Sequence, residues 1–196
     1  IKKQMDEISY YQLFAGVSHP LAEQLSNKLI EMTAEEDMAK VIYGSGGSDA
    51  VETAIKIARQ YWVLKDQPKR TRIMSLKNAY HGVNLGGTSL NGMPVFKMNY
   101  GPLLEQCNQI ESPWLCRNLW NCEDTDELAR LVVDQFEREI LYYGADTVAA
   151  FIAEPVQGAG GIIVPPEKFW PSLRKLCDKY EILLIADEVI TGFGRS

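Results

Sequence analysis

The sequence predicts an α/β fold with a mostly parallel sheet flanked by helices. Three observations carry that prediction. Two continuous apolar runs, Val148-Ala149-Ala150-Phe151-Ile152-Ala153 and Ile182-Leu183-Leu184-Ile185-Ala186, have the character of central strands covered on both faces. Segments with apolar residues at helical spacing alternate with such runs, as in βαβ units. Each run also ends in acid, the first at Glu154 and the second at Asp187-Glu188. Ligands of open α/β sheets bind beyond the carboxyl ends of the strands, so both carboxylates are expected at one crevice.

The elements follow in order. Pro20 suits a first helical position, and Leu21, Leu25, Leu29 and Met32 recur at helical spacing behind it. Lys40 to Tyr43 reads as a short strand entering the glycine-rich Gly44-Ser45-Gly46-Gly47-Ser48. Val51, Ile55, Ala58 and Trp62 then line one face of a helix running to about Leu64, and Arg72 to Leu76 is the next strand. Residues 83–122 read as mostly irregular, broken by Gly86-Gly87, Asn91-Gly92, Pro94, Pro102 and Pro113. Loops that long tend to be functional. The stretch around Met93, Trp114 and Trp120 is expected near a substrate mouth or a partner subunit. Asp124 with Glu127 is a capping signature opening a helix that carries Leu128, Val132, Phe136 and Ile140 and closes near Gly144. A helix of about Glu167 to Tyr180 joins the two acid-tipped strands.

Bulk properties exclude several function classes. The chain of 196 residues, 46% hydrophobic and 23% charged, suits one globular domain. Its net charge of −6 disfavours nucleic acid or an anionic membrane surface as partner. No apolar run approaches the roughly 18 residues of a membrane span. No secretory signal is recognisable, and the four cysteines show no CxxC spacing, so reduced thiols and a cytoplasmic location are expected. Only two histidines are present, neither near a cysteine, and no metal site is expected. Ile1 is not an initiator residue and Gly192 to Ser196 reads as mid-loop, so a longer protein is expected around this segment.

Candidate chemistry gathers at the strand ends. Glycines at 44, 46 and 47 let a ligand approach the backbone, and the first turn of the following helix favours phosphate. A plain turn with a Ser48 cap fits the segment as well, and it is neither a P-loop nor a GxGxxG fingerprint. Tyr80, just past a strand, could stack on a flat heterocycle or simply cover a loop. His81 could act as a base, though a structural hydrogen bond suits it better. Asp187 is the sharpest feature. A carboxylate at the end of a buried strand costs several kcal/mol unless a positive group pairs with it, and a protonated pyridine nitrogen meets that need. Strand alternation sends Glu188 to the other side and returns Val189 to the face of Asp187, beneath such a ring. The ligand so described is planar, cationic at one nitrogen and phosphorylated, which fits pyridoxal phosphate.

The segments GSGGSDAVETAIKIAR (Gly44 to Arg59), NAYHG (Asn78 to Gly82), AEPVQGAGGIIVPP (Ala153 to Pro166) and LLIADEVITGFGR (Leu183 to Arg195) together resemble class III aminotransferases. These are pyridoxal-phosphate enzymes of fold type I, and the ω-amino acid or amine:pyruvate transaminase branch is the nearest in pattern. The resemblance covers nearly the whole chain and implies most of a large cofactor-binding domain, without the N-terminal segment and the C-terminal small domain. It implies that Gly46, Gly47 and Ser48 hold the phosphate and that Tyr80 stacks over the ring. It also implies that Asp187 pairs with the pyridine nitrogen, that Val189 lies beneath the ring and that Glu154 is the active-site glutamate. Asp49 stands where the family has Glu, and Ser45-Gly46 where it has Asn-Ser. The family's covalent lysine lies past Ser196, so the chain by itself is expected to be inactive. The resemblance further implies transamination between an amino donor and a keto acid such as pyruvate, in a homodimer or tetramer. Aminomutase, racemase or decarboxylase chemistry, or a binding module without turnover, remain open on the same platform.

Overall fold

In a computed structural model describing residues 1–14 and 16–195 (the side chain of Glu36 excepted), the deepest element is β3, Val148–Ala153, with all six residues buried. On one side it pairs with β1, Arg72–Leu76, and on the other with β4, Leu183–Ala186. A fourth strand, β2 (Cys107–Ile110), lies beyond β1, giving a parallel sheet in the order β2-β1-β3-β4. The expected sheet is therefore present, and its parallel strands place the carboxyl ends of β1, β3 and β4 along one edge.

Alternation along the strands builds two cores. Met74, Leu76, Phe151 and Ala153 face helices α5 (Thr125–Tyr143) and α6 (Phe169–Lys179). Ile73, Ala150 and Ile152 face α3, Gly47–Leu64, through its buried residues Val51, Ile55, Ala58 and Trp62. Trp62 Nε1 also donates to Ala149 O at 2.8 Å, fixing α3 to the central strand. Asp124 caps α5 as its signature predicts, its carboxylate accepting from Glu127 N at 2.7 Å. These two layers of helix hold the strand ends, and hence the site, in a fixed frame.

The structure corrects three sequence expectations. Lys40–Tyr43 is not a strand, because no ladder partner exists for it among the described residues. Residues 83–122 hold two elements that read as loop: a short helix α4, Leu85–Leu90, and the strand β2. Gly86 and Gly87 in α4 serve close packing rather than a turn. A Cβ on Gly86 would stand 2.7 Å from Glu52 Oε1 and one on Gly87 2.2 Å from His81 O. The sequence of β2, Cys-Asn-Gln-Ile, has little strand propensity of its own and takes its register from β1. Among the described strands β4 lies at one end of the order and is half-buried.

The chain forms two compact units, Ile1–Tyr43 and Gly44–Ser196. The first holds α1, Lys2–Glu7, and α2, Pro20–Met32, with Pro20 at its first turn as predicted and His19 Nδ1 accepting from Ala22 N at 3.4 Å. Tyr43 closes that unit onto α2 by donating to Ala22 O at 3.2 Å. No helix among the described residues is long and apolar enough to cross a membrane.

Candidate active site

A cavity of about 190 Å³ opens where β3 and β4 end, and Gly47, Ser48, Tyr80, Glu154, Asp187 and Val189 all line it. Of the seven predicted site residues, only Gly46 does not; it is the N-cap of α3, in an extended conformation. Asp187 continues the ladder past β4 by donating its amide to Ala153 O at 2.9 Å, which carries its carboxylate to the mouth of the sheet. There Oδ2 lies 2.8 Å from His81 Nδ1 and Oδ1 accepts from Val189 N at 3.3 Å. The His81 side chain is fully buried and that of Asp187 nearly so. No guanidinium competes for the carboxylate among the described residues.

The hydrogen-bonding role expected of His81 is the one the structure gives it; what the sequence did not indicate is its partner, Asp187. The two lie 106 positions apart. With Nδ1 donating to Asp187, the imidazole is fixed in one orientation, and Nε2 is buried without a hydrogen-bond partner among the described residues. Val189 reaches the cavity by a route other than the expected one. The strand stops at Ala186, and a turn closed on Asp187 Oδ1 brings the valine in.

Glu154, at the end of β3, clamps two loops. Its Oε1 accepts from Tyr80 N and its Oε2 from Gly158 N, both at 2.9 Å. Burial pushes its carboxyl above the ordinary value, and the two amides pull the other way. Tyr80 is thus held by its backbone, while its ring meets Phe96 edge-on with centroids 5.0 Å apart.

The glycine turn supplies the remaining wall. Helix α3 starts at Gly47 without a side-chain cap, so the amides of its first turn have no partner within the helix. The expectation of a Ser48 cap fails for this reason: Ser48 is already helical, and its Oγ accepts from Val83 N at 3.1 Å. Asp49 instead fastens the turn by accepting from Ser45 N and Ser45 Oγ, bonds that hold its carboxyl below the ordinary value. Gly47 permits close contact with Val189, since a Cβ there would stand 2.7 Å from Val189 Cγ2. Gly82, at φ +104°, could carry a Cβ only 2.6 Å from Ser48 Oγ. These glycines press the helix start, the Tyr80 loop and the β4 turn around one small space.

Such a space, with anion-seeking amides at one wall and a buried carboxylate at another, fits a flat phosphorylated cation. A family profile described as aminotransferase class-III matches residues 1–196. The chain belongs to the class-III aminotransferases. A putrescine–pyruvate aminotransferase of Pseudomonas aeruginosa is 40% identical over 99% of this chain and 42% of its own length. An alanine/serine racemase of Pyrococcus horikoshii is 39% identical, over 100% of this chain and 41% of its own. Among solved structures, an amine transaminase from an uncultivated Pseudomonas species, in its PLP-bound form, superposes with a TM-score of 0.98 at 55% identity. That match covers 100% of this chain and 44% of the other. The chain therefore spans about two fifths of the length of the relatives it matches. Membership of this family implies pyridoxal phosphate as cofactor, and the residues of the cavity suit it.

No lysine lines the cavity among the described residues. Lys77 pairs with Glu111, and Lys97 donates to Ser89 O and Gln109 Oε1. Nor does any group of three or more His, Cys, Asp or Glu among the described residues form a metal site. Met93, Trp114 and Trp120 stay out of the cavity: Trp120 packs on the core beneath α5 and α6, and Trp114 lies near Gly161.

Proposed function

We propose that this chain is most of the large cofactor-binding domain of a longer pyridoxal-phosphate aminotransferase, one that moves an amino group from an ω-amino acid or amine to a keto acid such as pyruvate. The observation that carries the proposal is the buried Asp187 carboxylate, tied to His81 at 2.8 Å and lining the cavity at the strand ends. Pyridoxal phosphate supplies the electron sink that makes a substrate C–H bond acidic. The protein's part is electrostatic and geometric. Asp187 would hold a proton at the pyridine nitrogen, with His81 keeping the carboxylate aimed. Gly46, Gly47 and Ser48 offer the start of α3 to the phosphate. Tyr80 and Val189 would pack against the ring, and Glu154 keeps the Tyr80 and Gly158 loops in place. The covalent anchor would come from a lysine outside residues 1–196, and a cytoplasmic homodimer or tetramer is the proposed working form.

The test is made on the full-length protein. Loaded with pyridoxal phosphate, it should form alanine from pyruvate in step with consumption of an amine, and borohydride reduction should leave the cofactor bonded to a lysine. No covalent label would favour a binding module without turnover. A racemase is the second reading, because a relative carrying that name matches the same segment. It would interconvert alanine enantiomers without consuming an amine.

A further inference from the structure

Residues 79–83, between β1 and α4, form neither helix nor strand, and groups from elsewhere in the chain hold their backbone. Ala79 O accepts from Gly92 N at 2.8 Å, Tyr80 N donates to Glu154, and Val83 N donates to Ser48 Oγ. Asn91 grips two groups, one before the His81 side chain and one after it. Its Oδ1 accepts from His81 N at 2.6 Å and its Nδ2 donates to Gly82 O at 3.1 Å. The asparagine is only 1% exposed and is not part of the cofactor cavity's lining. We propose that Asn91 is a positioning residue for the cofactor site, holding the backbone of His81 where its imidazole meets the Asp187 carboxylate.

Only an amide suits both groups at once, since it presents an acceptor to the N–H and a donor to the carbonyl. An aspartate there would set a carboxylate oxygen against Gly82 O, and a leucine would leave both buried groups without this partner. The amide itself stands on a fixed seat. Asn91 N donates to Gly87 O at 2.9 Å at the end of α4, and the preceding carbonyl, Leu90 O, accepts from Ser75 Oγ of β1 at 2.6 Å. A Cβ on Gly92 would stand 2.2 Å from Leu76 O, so the chain after Asn91 lies against the end of β1. The sheet thereby sets the position of His81. That matters because the ring has one hydrogen bond, from Nδ1 to Asp187 at 2.8 Å, while Nε2 has none among the described residues. A shift of the His81–Gly82 backbone would pass directly into that bond and turn the carboxylate.

This inference rests on the proposed role of Asp187 toward pyridoxal phosphate. Full-length enzyme carrying isotope-labelled histidine reports the Nδ1 proton of His81 by NMR, with and without the cofactor, and His81→Gln assigns the signal by its loss. Asn91→Leu should shift or broaden that signal. Arg70→Lys, at the opposite ends of the strands, should leave it unmoved. In single-turnover consumption of an amine, Asn91→Leu should slow the loaded enzyme by about 10- to 100-fold, yet by less than about threefold once Asp187→Asn is present. Asn91→Ser leaves space for a water between the same two groups and should show both effects in weaker form; it decides the matter should Asn91→Leu not fold. A signal unmoved by either Asn91 variant, or the same fold loss with and without Asp187, would overturn the inference and leave Asn91 as a support of the loop alone. If the unaltered enzyme consumes no amine, the transaminase reading falls, and the imidazole signal still decides for or against Asn91.

Discussion

Replacing Asp187 by Asn separates the structural from the electrostatic part of the site. The carboxylate now has two partners, His81 Nδ1 at 2.8 Å and Val189 N at 3.3 Å. An amide keeps one acceptor, so one of these donors would face an NH₂ group, a loss of about 1–3 kcal/mol in stability. The larger effect falls on the cofactor. A nearby opposite charge shifts a titrating group by about 1–3 pKa units, or roughly 1.4–4 kcal/mol. Removing it should lower the proton occupancy of the ring nitrogen and slow the chemical step by about 10- to 1,000-fold. Single-turnover kinetics of the full-length enzyme with an amine give the rate, and urea denaturation gives the stability. The expected signature is a rate loss well beyond what the modest loss of stability could produce, with the cofactor still bound. An Asp187→Asn enzyme with an undiminished rate of amine consumption would refute the role assigned to this residue.

Three further perturbations test the frame around it. Gly82→Ala forces a side chain into a φ of +104° and within 2.6 Å of Ser48 Oγ. Strain and overpacking together should cost about 2–6 kcal/mol and weaken cofactor binding; a urea midpoint equal to that of the unaltered protein would show that the loop does not press on α3. Glu154→Gln leaves one of the two clamped amides without an acceptor and should destabilise the protein by about 1–3 kcal/mol at acid pH. Because burial raises the native value of Glu154 above 4.5, its contribution is full below 4.5 and lost as pH rises through the raised value. The gap between Glu and Gln should therefore narrow with increasing pH in denaturation series, and a widening gap would contradict the burial argument. Arg70→Lys removes a guanidinium that donates to Val148 O at 3.0 Å and Tyr180 O at 3.1 Å and stacks over Trp62 at 4.2 Å. A loss of about 1–3 kcal/mol is expected by calorimetry, with turnover per bound cofactor unchanged.

Much of this architecture was legible without coordinates. The run from Val148 to Ala153 read as a buried strand, because six consecutive apolar residues have no polar face to offer water and the run is short for a helix. Arg72 to Leu76 and the Asp124 cap are equally local, set by side-chain period and by one hydrogen bond within a turn. The acid at position 187 was readable as a site residue because a carboxylate at the end of such a strand demands a compensating charge. What the sequence left hidden depends on partners distant along the chain. The strand Cys107–Ile110 exists because β1 presents it with a ladder, and α4 is glycine-rich because Glu52, Ile55 and His81 leave no room for a Cβ. That His81 is the partner of Asp187 shows only once the chain brings the two side chains to 2.8 Å. Residue type and period thus determined which segments are strands and helices and which chemistry they carry. Only tertiary packing decided which groups meet, since hydrogen bonding and close contact act over a few ångströms of space, however far apart the residues lie in the chain.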